Sequence, residues 1–313
     1  MGLTRADLVQ PGITEEERAS RQFWIDRTMS NDAWANKIFN KVGILITSHQ
    51  GNRPFLKACI DTHKKLGLWI TLAYDNYVDP TWPDIDHDKF LPAKDVMHDV
   101  DLFLMPHHQV WGGVMYPFFW LMKWGVDAMQ SFEYIYCING DFVIEKPEGL
   151  PKLLELLGDG DYLSYGPSSD TTESSCFIAK TSAIKRIMQH FQDHFIPWDT
   201  YEKYTQEFGN CEARFARAIR ELGLKVVRAE PGRCPSHNPC EQLHQSGYGT
   251  WYDLLGFRHI HGELGYAYRY KGIPPSSKYL DERYTSSNDL DAIKKFEETG
   301  DIKYIEEWWA KDG

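Results

Sequence analysis

The sequence predicts an α/β fold: an open, mostly parallel twisted sheet flanked by helices, with an irregular and helical C-terminal elaboration. Short apolar runs rich in β-branched residues alternate with longer stretches in which apolar residues recur at helical spacing. The first of these alternations is a strand–helix–strand unit, which requires parallel strands joined by a right-handed crossover. The chain has 313 residues, 42% hydrophobic and 25% charged, which is ordinary globular usage and allows one large domain or two.

The first strand–helix–strand unit is the clearest. Residues 42–47 are a continuous apolar run, as in a strand that is buried on both faces. Pro54 stands at the favoured first turn of the helix that follows, and Gly67 ends that helix. Residues 69–74 then form the second strand.

The alternation continues toward the C-terminus. Further strands are predicted at residues 100–105, 134–138, 162–165, 176–179 and 224–229, and helices at about 113–130, 150–157, 181–195 and 210–222. Residues 232–271 show little periodicity, and a helical tail is predicted from Asp289. These patterns divide the chain into an N-terminal helical extension (1–40), a sheet-containing core (41–230) and a C-terminal region of loops and helices (231–313).

Charge and targeting features limit the possible partners and locations. The formal net charge of −11 argues against a broad nucleic-acid interface, which needs a basic face. We find no apolar signal segment near the N-terminus, and the most apolar stretch, 113–126, is too short and too interrupted to span a bilayer. The six cysteines are sparse and are expected to be free thiols. A cytoplasmic location without a transmembrane segment is therefore expected, and the oligomeric state stays open.

Polar residues follow several of the predicted strands. In open α/β sheets, ligands bind beyond the carboxyl ends of the strands. The residues at those ends are Thr47, Ser48 and His49, then Asp75 and Asn76, then Asn139, Gly140 and Asp141. The turn after the first strand contains a single glycine, Gly51, which disfavours both a dinucleotide site and a P-loop.

The Asn139-Gly140-Asp141 turn carries the strongest chemical signal. A carboxylate held at a strand end, beside a glycine that permits close approach, suits a divalent cation that bridges a diphosphate. The competing interpretation is an ordinary tight turn, because Asn-Gly is a frequent turn dipeptide.

Taken together, these features resemble glycosyltransferases of the GT-A fold over about residues 41–229. The resemblance rests on the Thr47-Ser48 turn, on Asp75 after the second strand, and on an Asp-x-Asp-like motif after the fourth. It implies an enzyme, a hexosyl- or pentosyltransferase, that moves a sugar from a UDP- or GDP-sugar to a hydroxyl of a glycan or another acceptor. Residues 41–230 would then hold the donor and the catalytic site, and residues 231–313 would lie on the acceptor side.

The resemblance also implies residue roles. The donor pocket would contain Thr47, Ser48, His49, Asn52, Asp75, Asn76, Gly113, Asn139 and Gly140. A Mn²⁺ or Mg²⁺ ion would be held by Asp141, Asn139 and His261, with His259 as the reserve for His261. Since Asn139 stands where the motif has Asp and lacks its charge, metal dependence is left open.

Glu212 resembles the catalytic base of inverting members of that fold. It lies at the start of a predicted helix, where a carboxylate is stabilised as the anion and can accept a proton from the acceptor hydroxyl. An ordinary first-turn glutamate explains the position equally well.

Other interpretations remain. A non-catalytic nucleotide-sugar- or glycan-binding protein of the same fold is favoured by Asn139, whereas a nucleotidyltransferase would normally carry a glycine-rich basic loop after the first strand. A zinc site at Cys234, His237, Cys240 and His244 matches no common spacing and is less favoured than an ordered loop. The aromatic content is 14%, and the residues expected to stack on a sugar or acceptor are Trp251, Tyr252, Tyr266, Tyr268 and Tyr270.

Overall fold

The computed structural model describes residues 41–49, 52–75, 96–104, 115–164, 176–195, 211–228, 251, 254–259, 276–285 and 287–312. Its strands are β1 (Val42–His49), β2 (Trp69–Asp75), β3 (Leu102–Leu104), β4 (Tyr134–Asn139), β5 (Phe142–Val143), β6 (Tyr162–Ser164), β7 (Cys176–Lys180), β8 (Val226–Arg228) and β9 (Arg258–His259). Its helices are α1 (Arg53–Lys64), α2 (Met115–Ala128), α3 (Leu150–Leu157), α4 (Thr181–Phe195), α5 (Cys211–Glu221), α6 (Ser287–Thr299) and α7 (Lys303–Asp312).

Seven of the described strands form one sheet in the order β3-β2-β1-β4-β7-β6-β8. Neighbouring strands are parallel except around β7, which runs antiparallel to both β4 and β6. The predicted fold class, an open and mostly parallel α/β sheet, is therefore confirmed.

Helices cover both faces of this sheet because its strands are apolar on both sides. On one face, α1 and α3 pack against Ile44, Ile46 and Ile138. On the other face, α2, α4 and α5 pack against Leu45 and Cys137. The alternation of neighbouring residues between the two faces follows the two-residue period of a strand.

The C-terminal helices join the rest of the described structure through a smaller apolar cluster. Ile293 of α6 and Ile305 of α7 pack with Phe55 of α1 and Val143 of β5. The tail predicted as helical from Asp289 is two helices, and Gly300 between them has φ +67°, a left-handed conformation that favours glycine.

Several element bounds differ from the sequence prediction. Helix α1 begins one residue before Pro54, β3 ends at Leu104, and β8 covers only Val226–Arg228. The two-stranded sheet of β5 and β9 was not predicted, because strands of two residues carry no periodicity. The predicted N-terminal helices (1–40) and residues 229–250 lie outside the described residues. Within the described part of the chain, no helix combines the length and apolar character needed to cross a bilayer.

Candidate functional site at the carboxyl ends of the central strands

The site predicted from the strand ends lies where the strand order of the sheet reverses. From β1 the chain proceeds outward to β2 and β3 on one side, and it then returns to β4 on the other side of β1. Helix α1, between β1 and β2, covers one face, and α2, between β3 and β4, covers the other. Such a switch point leaves a crevice beyond the carboxyl ends of its two strands. In this sheet that place lies beyond the ends of β1 and β4.

Thr47 and Asn139 face each other across this switch point. They are register partners of β1 and β4, and Thr47 Oγ1 donates a hydrogen bond to Asn139 Oδ1 at 2.8 Å. Thr47 is buried, and the Ile138 carbonyl lies 3.3 Å from the same hydroxyl. With its oxygen turned toward Thr47, Asn139 directs its amide Nδ2 away from β1. Within the described residues this nitrogen has no hydrogen-bond partner, so it can donate to an acceptor at the edge of the sheet.

Gly140 and Ser48 make the closest approach in the site. The Gly140 N–H donates to the Thr47 carbonyl at 2.9 Å, which extends the contact between β1 and β4 by one residue. A Cβ at Gly140 would lie 2.4 Å from Ser48 Oγ and 2.8 Å from Ser48 Cβ, so glycine is required by packing. Ser48 is 2% exposed, and its hydroxyl has no hydrogen-bond partner among the described residues. A buried hydroxyl without a hydrogen-bond partner destabilises the folded state unless another group forms a hydrogen bond with it.

Replacement of Gly140 with Ala is expected to displace the turn, because the new methyl group overlaps the Ser48 side chain. We expect a loss of about 1–3 kcal/mol in the free energy of unfolding, together with a loss of ligand affinity at this edge. Urea unfolding and calorimetric titration with UDP or GDP measure the two effects. The matched control is Gly223→Ala, since Gly223 has φ +61° and open space around its Cβ position. That control should lose stability through backbone strain of roughly 1–2 kcal/mol and keep its ligand affinity.

Asp141 lies directly after this turn and is 4% exposed. The next residue, Phe142, begins β5, which pairs antiparallel with β9 so that Phe142 is opposite His259. Stacking of Phe142 on Phe257, with ring centroids 4.8 Å apart, ties the turn to the short β9 segment. This small sheet brings the backbone of His259 to the neighbourhood of Asp141. His261 lies outside the described residues.

A fully buried polar network lies beneath the turn, on the side of α1. The His63 ring contacts the Cys59 carbonyl through Nδ1 at 2.7 Å and the Tyr136 hydroxyl through Nε2 at 3.2 Å. Because a carbonyl only accepts, Nδ1 carries the hydrogen, and Nε2 accepts from the Tyr136 O–H. Burial raises the pKa of the Tyr136 phenol well above its ordinary value, which keeps this donor protonated.

The same network includes the thiol of Cys59. Its Sγ donates to the Asn139 carbonyl at 3.7 Å and lies 3.9 Å from His63 Nδ1. Burial, reinforced by the nearby negative charge of Asp141, raises the pKa of this thiol well above its ordinary value. The cysteine is therefore a neutral donor, with none of the thiolate character that a nucleophile needs.

His63 makes the stability of the protein sensitive to acid. Burial lowers its pKa from 6.5 to about 4 in the folded state. In the unfolded chain, His63 therefore binds a proton below about pH 6.5, whereas in the folded chain it does so only below about pH 4. The free energy of unfolding falls as the pH decreases across that window. The expected contribution is a loss of about 2 kcal/mol between pH 7 and pH 5, measured by urea unfolding at both values. In His63→Gln this part of the pH dependence should disappear; an unchanged dependence would contradict the assignment.

The other predicted donor residues are distributed around the same edge. Asp75 is 8% exposed, ends β2 and is the register partner of His49, which is exposed at the end of β1. Asn52 precedes α1, is buried, and does not cap that helix with its side chain. Asn76 and Gly113 lie outside the described residues. Thr47, Ser48, Asp75, Asn139, Gly140 and Asp141 are thus brought to one edge of the sheet.

The predicted base and metal ligands are only partly described. Glu212 is the second residue of α5, in agreement with its predicted place at a helix start, and nothing is described of its side chain. Within the described residues, no group of three or more His, Cys, Asp or Glu side chains is arranged to hold a metal ion. The four residues of the possible zinc site lie outside the described residues.

Sequence reasoning assigned Trp251 wrongly and missed the buried network. Trp251 is fully buried, with its ring centroid 5.9 Å from that of Tyr136 and 5.4 Å from that of Phe257, so it belongs to the core and cannot stack on a sugar. The helical spacing of Cys59 and His63 was visible in the sequence, but their contacts with Tyr136 and Asn139 depend on how α1 packs on β4.

Comparison with known proteins finds similarity only to solved structures. No family model and no curated protein matches the chain. Among solved structures, one described as a nucleotide-diphospho-sugar transferase from Desulfovibrio desulfuricans is similar, with 11% identity, a TM-score of 0.34, and coverage of 60% of this chain and 79% of that one. A 4-diphosphocytidyl-2C-methyl-D-erythritol synthase from Anaerococcus prevotii is similar at 13% identity and a TM-score of 0.34, covering 60% of this chain and 90% of that one.

Proposed function

We propose that the protein is a glycosyltransferase that moves a sugar from a nucleotide-sugar donor to a hydroxyl acceptor. The observation that carries the proposal is the convergence of Ser48, Asn139, Gly140 and Asp141 at the switch point between β1 and β4. A ligand bound beyond these strand ends would meet a close-packed backbone turn, a buried serine hydroxyl, the amide of Asn139 and a buried carboxylate. That mixture of donors and one acid suits a ribose and a diphosphate better than an apolar ligand.

Asn139 and Asp141 take different parts in this proposal. The amide oxygen of Asn139 is occupied by the Thr47 hydroxyl, which supports a role for its Nδ2 as a donor to a ribose or phosphate oxygen. Asp141 keeps the only carboxylate of the turn, and Gly140 lets the phosphates approach the backbone closely. Asp75, at the end of the neighbouring β2, is proposed to bind the base or ribose.

We propose that Asp141 binds a Mg²⁺ or Mn²⁺ ion that is shared with the substrate. Such ions commonly bind through one or two carboxylates together with substrate phosphates, so one buried aspartate beside a diphosphate pocket is compatible with them. Asp141 would hold the ion, with His261 as a proposed further ligand. The ion would neutralise charge on the leaving diphosphate.

Glu212 is proposed as the general base. Its carboxylate would accept the proton of the acceptor hydroxyl while the acceptor oxygen bonds to the anomeric carbon. The bond from that carbon to the phosphate oxygen breaks, and its electron pair leaves with the nucleoside diphosphate. This single displacement inverts the anomeric configuration. A product that retains the anomeric configuration of the donor would contradict this role for Glu212.

A product assay separates this function from its alternatives. The protein is incubated with UDP- and GDP-sugars and with Mn²⁺ or Mg²⁺, and the released nucleoside diphosphate is quantified. In parallel, nucleoside triphosphates and sugar phosphates are supplied, and pyrophosphate is quantified. We expect diphosphate release from a nucleotide-sugar. Pyrophosphate release alone would instead identify a nucleotidyltransferase, and calorimetric binding of nucleotide-sugar without turnover would identify a non-catalytic binding protein.

A further inference from the structure

The thiol of Cys59 contacts the turn after β4 where that turn begins. It donates to the Asn139 carbonyl at 3.7 Å. Gly140 and Asp141 follow Asn139 directly in the chain. One side chain of α1 therefore constrains the start of the segment that carries the proposed ligand-binding carboxylate.

Helix α1 is itself held in register with β4 and β5 by polar contacts. His63 accepts from the Tyr136 hydroxyl at 3.2 Å, three residues before Asn139 on the same strand. Thr62 Oγ1 accepts from the Ile144 N–H at 3.4 Å, two residues after Phe142. Because these contacts lie on either side of the turn, the position of Cys59 relative to it is set by the helix and not by the thiol alone.

The opposite face of β4 provides a comparison. Cys137 is also a fully buried free cysteine, but it packs in the other apolar cluster, among residues of α2 and α4. Burial raises the pKa of its thiol as well. The two cysteines therefore share chemistry and burial and differ in whether the thiol contacts the turn.

We propose that Cys59 is a positioning residue, whose thiol holds the turn that begins at Asn139 so that Asp141 and the Asn139 amide meet the ligand. The proposal rests on the proposed function, since it concerns the same site. It goes beyond that function by assigning the geometry of the turn to a side chain that does not touch the ligand. It predicts that ligand affinity follows the presence of an S–H or O–H group at position 59.

The test compares Cys59→Ala, Cys59→Ser and the matched control Cys137→Ala in the full chain. Affinity for UDP and GDP in the presence of Mn²⁺ is measured by calorimetry, and hydrogen exchange of the Gly140 amide is measured by NMR. In Cys59→Ala, which removes the hydrogen bond to the Asn139 carbonyl, we expect affinity to fall about tenfold and exchange at Gly140, the amide of the same peptide bond, to rise about tenfold. Cys59→Ser should recover most of both effects, because its hydroxyl can donate to that carbonyl. Cys137→Ala, which removes the same side-chain atoms, should alter neither.

Three results would overturn the proposal: wild-type affinity and exchange in Cys59→Ala, no recovery in Cys59→Ser, or equal effects in Cys137→Ala. A wild-type protein that binds neither nucleotide would count against the proposed function. The exchange measurements alone would then test the positioning role of Cys59, because they need no ligand. Faster exchange at Gly140 in Cys59→Ala, with recovery in Cys59→Ser, would still support it.

Discussion

Replacing Asp141 with Asn is expected to lower kcat/KM for sugar transfer by roughly a thousandfold, the range seen when one preorganised electrostatic contact to a transition state is removed. Asp141 is the carboxylate of the turn at the switch point, and its burial gives its charge a large effect on a nearby diphosphate. Asn keeps the volume of the side chain and removes the charge. The fold should therefore persist, and the dependence of the rate on Mn²⁺ concentration should weaken with the loss of turnover. Initial rates over a range of donor and Mn²⁺ concentrations measure both effects.

The control residue for this substitution lies at the amino ends of the strands, opposite the candidate site. Asp101 precedes β3, and its Oδ2 accepts a hydrogen bond from the Ile70 N–H at 2.9 Å. Asp101→Asn should lower stability through that contact and leave kcat/KM within about twofold, since it lies at the amino ends of the strands. A loss of turnover in Asp101→Asn equal to that in Asp141→Asn would mean that general destabilisation explains both.

Replacing Trp251 with Ala is expected to cost about 3–5 kcal/mol in the free energy of unfolding, as for other fully buried tryptophans. Its side chain is 0% exposed and packs against Tyr136 and Phe257 in the cluster that supports β4. Trp251→Phe keeps an aromatic ring at this place and should lose less than half as much. Urea unfolding followed by far-ultraviolet circular dichroism gives the values without depending on tryptophan fluorescence.

A sugar-stacking role for Trp251 makes the opposite prediction. An exposed platform could be removed with little change in stability, and KM for donor or acceptor would rise instead. Normal stability of Trp251→Ala with a raised KM would therefore contradict the buried position. Tyr252, Tyr266, Tyr268 and Tyr270 lie outside the described residues, and their stacking role stays a prediction.

The sheet was predictable because its strands carry a strong local signal. The continuous apolar runs of β1, β2 and β4 are long enough to be recognised, and the helices between them imply parallel pairing. The orientation of β7 was not predictable from such patterns, because an apolar run has no direction. The pairing of β5 with β9 was missed for a similar reason, since it joins two-residue strands that are distant in the sequence.

The sequence was enough to predict which residues follow the strands, but not the contacts that they make. Ser48, Asp75, Asn139 and Asp141 lie at one edge of the sheet, as expected, and their role as a ligand site stays a prediction. Which group each side chain meets depends on register and helix packing. The Thr47 hydroxyl that orients the Asn139 amide is one such contact, and the Cys59 thiol beneath the turn is another. Both are tertiary contacts between segments that the sequence keeps far apart.

In the proposed function, the turn from Asn139 to Asp141, at the switch point between β1 and β4, binds the diphosphate of a nucleotide-sugar. A crystal structure of the protein with UDP or GDP and Mn²⁺ would show whether it does. We predict electron density for the diphosphate beyond the ends of β1 and β4, with a Mn²⁺ ion bound to Asp141 and a ribose or phosphate oxygen within hydrogen-bond distance of Asn139 Nδ2. A nucleotide bound elsewhere on the protein, with Asp141 remote from its phosphates, would rule out this binding site.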